Sequence, residues 1–110
     1  HGAICAALLP SVVTVTVAAL RDRAPQSPAL ARFGRAAELV NGDRSSRADD
    51  LVDWIRETCQ QLSMRGLGSL GLTSDQIDSV VSASARSSSI KGHPIELTSD
   101  ELRRIVQSSL

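Results

Sequence analysis

Residues 3–20, AICAALLPSVVTVTVAAL, form the longest stretch of this 110-residue chain that carries no charged side chain. Eighteen such residues are at the short limit for spanning a bilayer. The stretch also contains Pro10, Ser11, Thr14 and Thr16, and no basic segment precedes it, as one would in a secretory signal. We therefore interpret it as a helix buried on all sides within a protein. This interpretation requires that other residues cover the helix, and the remaining residues are few for that task.

Local preferences conflict within this stretch. The β-branched alternation VVTVTV at 12–17 favours a strand, whereas HGAICAALL at 1–9 favours a helix. Pro10 lies between them and removes one backbone hydrogen bond from any helix that continues through it. We predict a kinked, buried helix, with a strand as the alternative.

Helix signals are clearer in the rest of the chain. Ser27-Pro28 is an N-cap followed by proline at the first helical position, and Asn41-Gly42 ends that helix. A third helix is expected to begin near Ser46. Capping boxes predict two more helices, one opened by TSDQ at 73–76 and one by TSDE at 98–101. The apolar positions expected to face inward are Leu30, Phe33, Ala37, Val40, Ala48, Leu51, Val52, Ile55, Cys59, Leu62, Ile77, Val80, Val81, Leu102, Ile105 and Val106. The chain is predicted to be all-α, with about five helices in one bundle-like domain.

Composition excludes several classes of partner. Twelve basic and twelve acidic side chains cancel and are interspersed, and Phe33 and Trp54 are the only aromatic residues. Neither a nucleic acid nor a membrane surface is therefore expected as a partner. Cys5 and Cys59 form no CxxC pair, which favours two reduced, core-packing thiols in a cytoplasmic protein.

Few residues stand out as candidates for chemistry. No zinc-protease, serine-hydrolase, phosphate-loop or dinucleotide motif occurs, and the serines between Ser82 and Ser89 have no neighbouring base. His93 precedes Pro94, which favours an extended backbone, and a structural role is expected for it. His1 differs because a polar ring beside a buried apolar helix needs partners. A metal ion is one such partner, but a metal site needs three or four ligands.

Three segments, in their order and spacing, resemble the C-terminal part of the iron-containing (group III) alcohol dehydrogenases. HGAICAALLP at 1–10 is similar to that family's His-Gly-x-x-x-Ala-x-x-Leu-Pro segment, which begins a buried helix. The helix, glycine-containing loop and helix of residues 47–85 resemble the next part of the family pattern. SSSIKGHPIELTSDELRRIV at 87–106 is similar to its tail, where Asn-Pro precedes a Leu-Thr cap and the last helix.

The resemblance implies a fold, a cofactor set and a missing partner domain. The family has the two-domain, dehydroquinate-synthase-like architecture, with an N-terminal nucleotide-binding domain, an all-helical C-terminal domain and an active site in the cleft between them. A divalent metal, iron or zinc, is held by one Asp and three His, and His1 matches the last of these histidines. The chain would thus be about the last third of an NAD- or NADP-linked dehydrogenase acting on a small alcohol, aldehyde or ketone. Alone it is expected to be inactive and to bind neither metal nor nucleotide tightly. The resemblance is compatible with a homo-oligomeric parent.

One departure from the family pattern concerns the connector before the last helix. This chain has His93 where the family usually has Asn. The connector lies near the cleft in the family, so Ser89, Lys91 and His93 are expected to shape substrate choice, and Lys91 would favour an anionic substrate.

Two alternatives remain open at this stage. One is a stand-alone helical interaction module that uses residues 3–20 as its binding surface. The other is a secreted protein in which the amine and ring of His1 bind copper. This second alternative needs another histidine nearby, and His93 is the only one available.

Overall fold

The computed structural model describes all residues, 1–110, and contains helices and no strands. The five α-helices are α1 (Gly2–Arg23), α2 (Pro28–Asn41), α3 (Ala48–Gln61), α4 (Ile77–Arg86) and α5 (Ser99–Ser108). Three short 3₁₀ helices, Leu67–Leu70, Ser74–Gln76 and Ser88–Gly92, lie in the connections. The prediction of an all-α chain with about five helices is confirmed.

Helix α1 runs without interruption through both Pro10 and the β-branched residues 12–17. The strand alternative is therefore wrong. Thr14 donates its hydroxyl hydrogen to the carbonyl of Pro10 at 2.7 Å. Alternating valines suit a strand, but here Val13 and Val17 also lie four residues apart on one helical face, which is buried. Tertiary packing thus overrides the local strand preference.

Two hydrophobic clusters lie on different parts of α1. The first joins the second half of α1 to the helical hairpin of α2 and α3. Its buried members are Val13, Val17, Ala37, Ala48, Leu51, Val52 and Ile55. The second joins α4, α5 and the loop before α4. Its buried members are Leu67, Ile77, Val81, Leu102 and Val106, and Ala7 and Leu8 of α1 pack against it.

Helix α1 is only partly covered, which corrects the expectation that it is buried on all sides. Its buried residues begin at Val13, while residues 1–5 are exposed and Ile4 and Leu9 keep 47% and 45% of their surface accessible. By length and composition α1 could also cross a membrane, since its most apolar 18-residue window has a mean hydropathy of 2.2. Core helices and signal sequences meet the same criterion, so this is weak evidence for a membrane.

The predicted caps are present. The Ser27 hydroxyl accepts a hydrogen bond from the Ala29 amide at 3.2 Å, and Gly42 ends α2 in the left-handed conformation with φ +66°. The Thr73–Gln76 and Thr98–Glu101 capping boxes both form. In the first, a 3₁₀ turn comes before α4 begins.

Three predicted core positions are wrong. Val40, Leu62 and Cys5 are exposed, whereas Cys59 packs against the first cluster. Val40 and Leu62 lie at or beyond the last turn of their helices, where no neighbouring element continues far enough to cover them.

An ion pair fastens the end of α1 to the start of α5. The Arg23 guanidinium donates two hydrogen bonds to the carboxylate of Glu101, both at 2.9 Å, and a third to the Glu96 carbonyl at 2.8 Å. The pKa of Glu101 is lowered, chiefly by the hydrogen bond from Arg23. A second pair joins Arg21 of α1 to Asp49 of α3 at 2.6 Å.

Candidate functional site

His1 lies at the uncovered end of α1. It occupies the N-cap position, its side chain makes no capping hydrogen bond, and both it and Gly2 are exposed. Its Nε2 atom is 3.6 Å from Sγ of Cys5, one helical turn along the chain. The first-turn amides and the positive end of the helix dipole therefore lie beside this imidazole.

A metal ion needs more ligands than this chain brings to His1. No group of three His, Cys, Asp or Glu side chains with the geometry to hold a metal occurs among residues 1–110. Cys5 gives at most a second donor beside His1. Because a catalytic zinc or iron site takes three or more protein ligands, the residues present do not make one by themselves, and any complete site must draw on other polypeptide.

His93 is the better enclosed of the two histidines. Its Nε2 atom is 2.8 Å from the hydroxyl oxygen of Thr16, which is 1% exposed in the second half of α1. Burial lowers the pKa of His93, so the neutral ring is favoured at neutral pH. The backbone of His93 is extended, with φ −68° and ψ 143°, as Pro94 predicts. The bond ties the connector before α5 to α1, a contact between residues 77 positions apart.

The two histidines lie far from each other. His93 meets α1 at Thr16, and Thr16 is about 22 Å from His1 along the axis of a helix that rises 1.5 Å per residue. The copper site that required both rings is therefore not assembled in this fold. The rings are kept apart because α1 is one continuous helix between His1 and the position of Thr16.

The three connector residues reach two adjacent depressions. Lys91 and His93 line one cleft of about 640 Å³ together with Arg86 at the end of α4 and Ser99 at the start of α5. Ser89 and His93 line a smaller one of about 260 Å³. The Ser89 amide donates to the hydroxyl of Ser87, while Ser89 and Lys91 are exposed. Of the three connector residues, His93 is the one that lines both depressions, as Ser87 and Ile90 also do.

A mainly apolar cavity of about 530 Å³ also has His93 in its lining. Helix α1 contributes Ile4, Leu8 and Val12 to its wall, and twelve of its sixteen lining residues are hydrophobic. The cavity therefore extends along α1 from the Thr16–His93 contact toward the end that carries His1.

Sequence reasoning missed two residues at this site. Thr16 was interpreted only as a mark against a membrane span, although a polar residue inside an apolar helix signals a buried hydrogen bond. Arg86 was not singled out at all, because a lone arginine at a helix end is a common surface residue and nothing local relates it to Lys91.

Comparison with known proteins adds no relative. A scan against protein-family models, a search of curated proteins and a search of solved structures each found no match. Any functional assignment therefore rests on the residues and geometry of this chain.

Proposed function

We propose that this chain is the C-terminal helical part of a metal-dependent, NAD(P)-linked alcohol dehydrogenase of the iron-containing type. The observation that carries the proposal is the sequence HGAICAALLP at the start of α1, with His1 and Gly2 exposed at the positive end of that helix. The all-helical fold and the cap before α5 are compatible with the resemblance described above.

The uncovered half of α1 supports the same proposal. Ile4 and Leu9 are large apolar residues with nearly half of their surface accessible, and we infer that further protein covers them in the parent. In the proposed parent, the upstream helices and the nucleotide-binding domain would cover this surface. They would also supply the Asp and the other two His.

His1 is proposed as a metal ligand and the connector as part of the substrate cleft. When bound, iron or zinc would polarise the carbonyl or alkoxide oxygen of the substrate. This chain contributes one imidazole and an α1 dipole that favours negative charge near the N-terminus by about 0.3–1 kcal/mol. Gly2 has no atoms within 4 Å of its absent Cβ, so an approaching group would find room there.

The test uses the reading frame that encodes this chain. It is expected to continue upstream of His1 through a glycine-rich phosphate loop, one Asp and two His. A start codon directly before His1 would contradict the proposal. The longer protein is expected to retain one divalent metal per chain and to reduce NAD or NADP with a small alcohol.

Two variants of that longer protein test whether His1 binds the metal. His1→Ala is expected to lose the metal, measured by elemental analysis, and with it the turnover. His93→Asn, which installs the residue usual in the family, serves as the matched histidine control and is expected to keep the metal. Stoichiometric, tight iron or zinc binding by residues 1–110 alone would contradict the proposal, because one ligand does not hold the ion.

A stand-alone interaction module is the second candidate, and the same exposed half of α1 favours it. Solution behaviour distinguishes the two. A module is expected to be soluble and monodisperse at all concentrations, whereas one half of a larger enzyme associates through its apolar surface. Light scattering over a concentration series measures the difference.

A further inference from the structure

The apolar cavity and the charged cleft adjoin each other, because Ile90, His93, Leu97 and Leu102 line both. The other residues that line the cavity are almost all hydrophobic, and those that line the cleft include charged side chains. We refer to the two together as the depression. Such a pair suits a ligand that is itself apolar at one end and charged at the other.

The apolar part has the size and lining of a ligand pocket. Its volume of about 530 Å³ falls within the roughly 300–1,000 Å³ typical of small-molecule sites. Only Gln76, Ser84 and His93 bring polar side chains to it. Since burying a charged group among these residues without a partner is costly, this part selects for a hydrocarbon chain.

The charged part selects for an anion. Arg86 and Lys91 both line it, and neither takes part in any of the four ion pairs of the chain. Glu96 is the one acidic residue in the lining, which leaves an excess of one positive charge. An exposed cation without a partner attracts a carboxylate, and the arginine fork is well matched to one.

We propose that this depression binds a medium-chain aliphatic carboxylate. The hydrocarbon chain occupies the apolar cavity beside Ile4, Leu8 and Val12, and the carboxylate lies against Lys91 and Arg86. His93, held by Thr16, stands between the two parts. If the proposed function holds, this ligand is a substrate or product of the parent enzyme, and only that part of the inference rests on the proposed function. Binding itself needs neither metal nor nicotinamide.

The test titrates the 110-residue chain with decanoate at a concentration where light scattering shows a monomer, and it measures binding by calorimetry and by amide chemical shifts. We expect saturable one-to-one binding, with shifts in residues 86–93 and along the first half of α1. Decanol, which has the same chain length without the charge, and acetate, which has the charge without the chain, are both expected to bind more weakly.

Charge variants test whether Lys91 and Arg86 bind the carboxylate of the ligand. Lys91→Met is expected to weaken decanoate binding by about fivefold, the upper range for a partly exposed ion pair, while decanol binding stays the same. Arg86→Met is expected to act in the same direction. Arg44→Met is the matched control, because Arg44 is exposed and lines neither part of the depression. Lys91→Met and Arg86→Met are exposed substitutions, and circular dichroism verifies their helix content.

Substitutions on α1 test whether the apolar cavity binds the hydrocarbon chain of the ligand. Ile4→Asn places a polar group in the cavity wall and is expected to weaken decanoate and decanol equally. Leu9→Asn makes the same kind of change at a similarly exposed position outside the cavity, and is expected to leave both unchanged.

Three outcomes would overturn the inference: no saturable decanoate binding, equal affinity for decanol and decanoate, or decanoate affinity that survives both charge variants. Its failure is distinguishable from failure of the dehydrogenase proposal. Decanoate binding is measured on this chain without metal. The dehydrogenase proposal is tested by metal retention and turnover in the longer protein.

Discussion

Leu20 provides the sharpest test of whether α1 organises the fold. Its side chain is fully buried, with 0% of its surface exposed, in the covered half of α1. Leu20→Ala removes three buried carbons and leaves a cavity that the surrounding helices fill only in part. We expect the free energy of unfolding to fall by about 3–5 kcal/mol, the upper range for buried leucines. That is a large part of the roughly 5–15 kcal/mol available to a domain of this size.

The assay is urea unfolding at pH 7, monitored by far-ultraviolet circular dichroism. The fluorescence of Trp54, the single tryptophan, provides a second probe on α3. Coincident transitions from the two probes would show that α1 and α3 unfold together, as expected for helices that share a hydrophobic cluster.

Leu39→Ala is the matched control. It makes the same chemical change within α2 at a side chain that is 66% exposed, so the expected cost is below about 0.5 kcal/mol. A loss below about 1 kcal/mol for Leu20→Ala, or equal losses for the two variants, would refute the central role of α1.

Three further predictions concern pH and the backbone. Arg23 lowers the pKa of Glu101 below its ordinary value of 4.5. The stability that the ionised Glu101 contributes is therefore fully present above about pH 4.5 and is lost as the pH falls through the folded-state pKa. Unfolding of the wild type and of Glu101→Gln, measured from pH 7 to 3, checks this. Burial lowers the pKa of His93 below 6.5. The contribution of the neutral ring to stability is therefore present above about pH 6.5 and is lost on acidification. In His93→Gln the free energy of unfolding is expected to change less between pH 7 and 5 than in the wild type. Gly66→Ala would drive its Cβ into the Leu110 carbonyl, and a lower melting temperature than that of the wild type is expected.

Local sequence signals were sufficient where a structure depends on neighbours in the chain. Ser27-Pro28, the Gly42 stop and the two capping boxes were all predictable, because each satisfies backbone groups within one helical turn. The buried stripe of α5, ending at Val106, was predictable for a similar reason: its spacing on one face is a property of helix geometry.

The candidate site was predictable in part. His93 was recognised as one of two histidines, and Lys91 as the cation beside it, from the sequence alone. The partner of His93 was not, because Thr16 lies 77 residues away. Arg86 lies close to Lys91 in the sequence, but the cleft that both line is completed by Ser99 and Leu102 of α5, and the sequence does not show that α5 lies there.

Helix α1 shows which features follow from the sequence and which depend on tertiary packing. Its amino-acid sequence determined that residues 3–20 are apolar and that an all-helical chain would have to cover them. Sequence alone did not decide between helix and strand at 12–17, because β-branched residues fit either when both of their faces are buried. Tertiary packing decided it. The helical hairpin of α2 and α3 covers the second half of α1, the α4–α5 cluster contacts Ala7 and Leu8, and residues 1–5 remain exposed. Burial depends on which segments pack against a helix, and that information is spread over the whole chain.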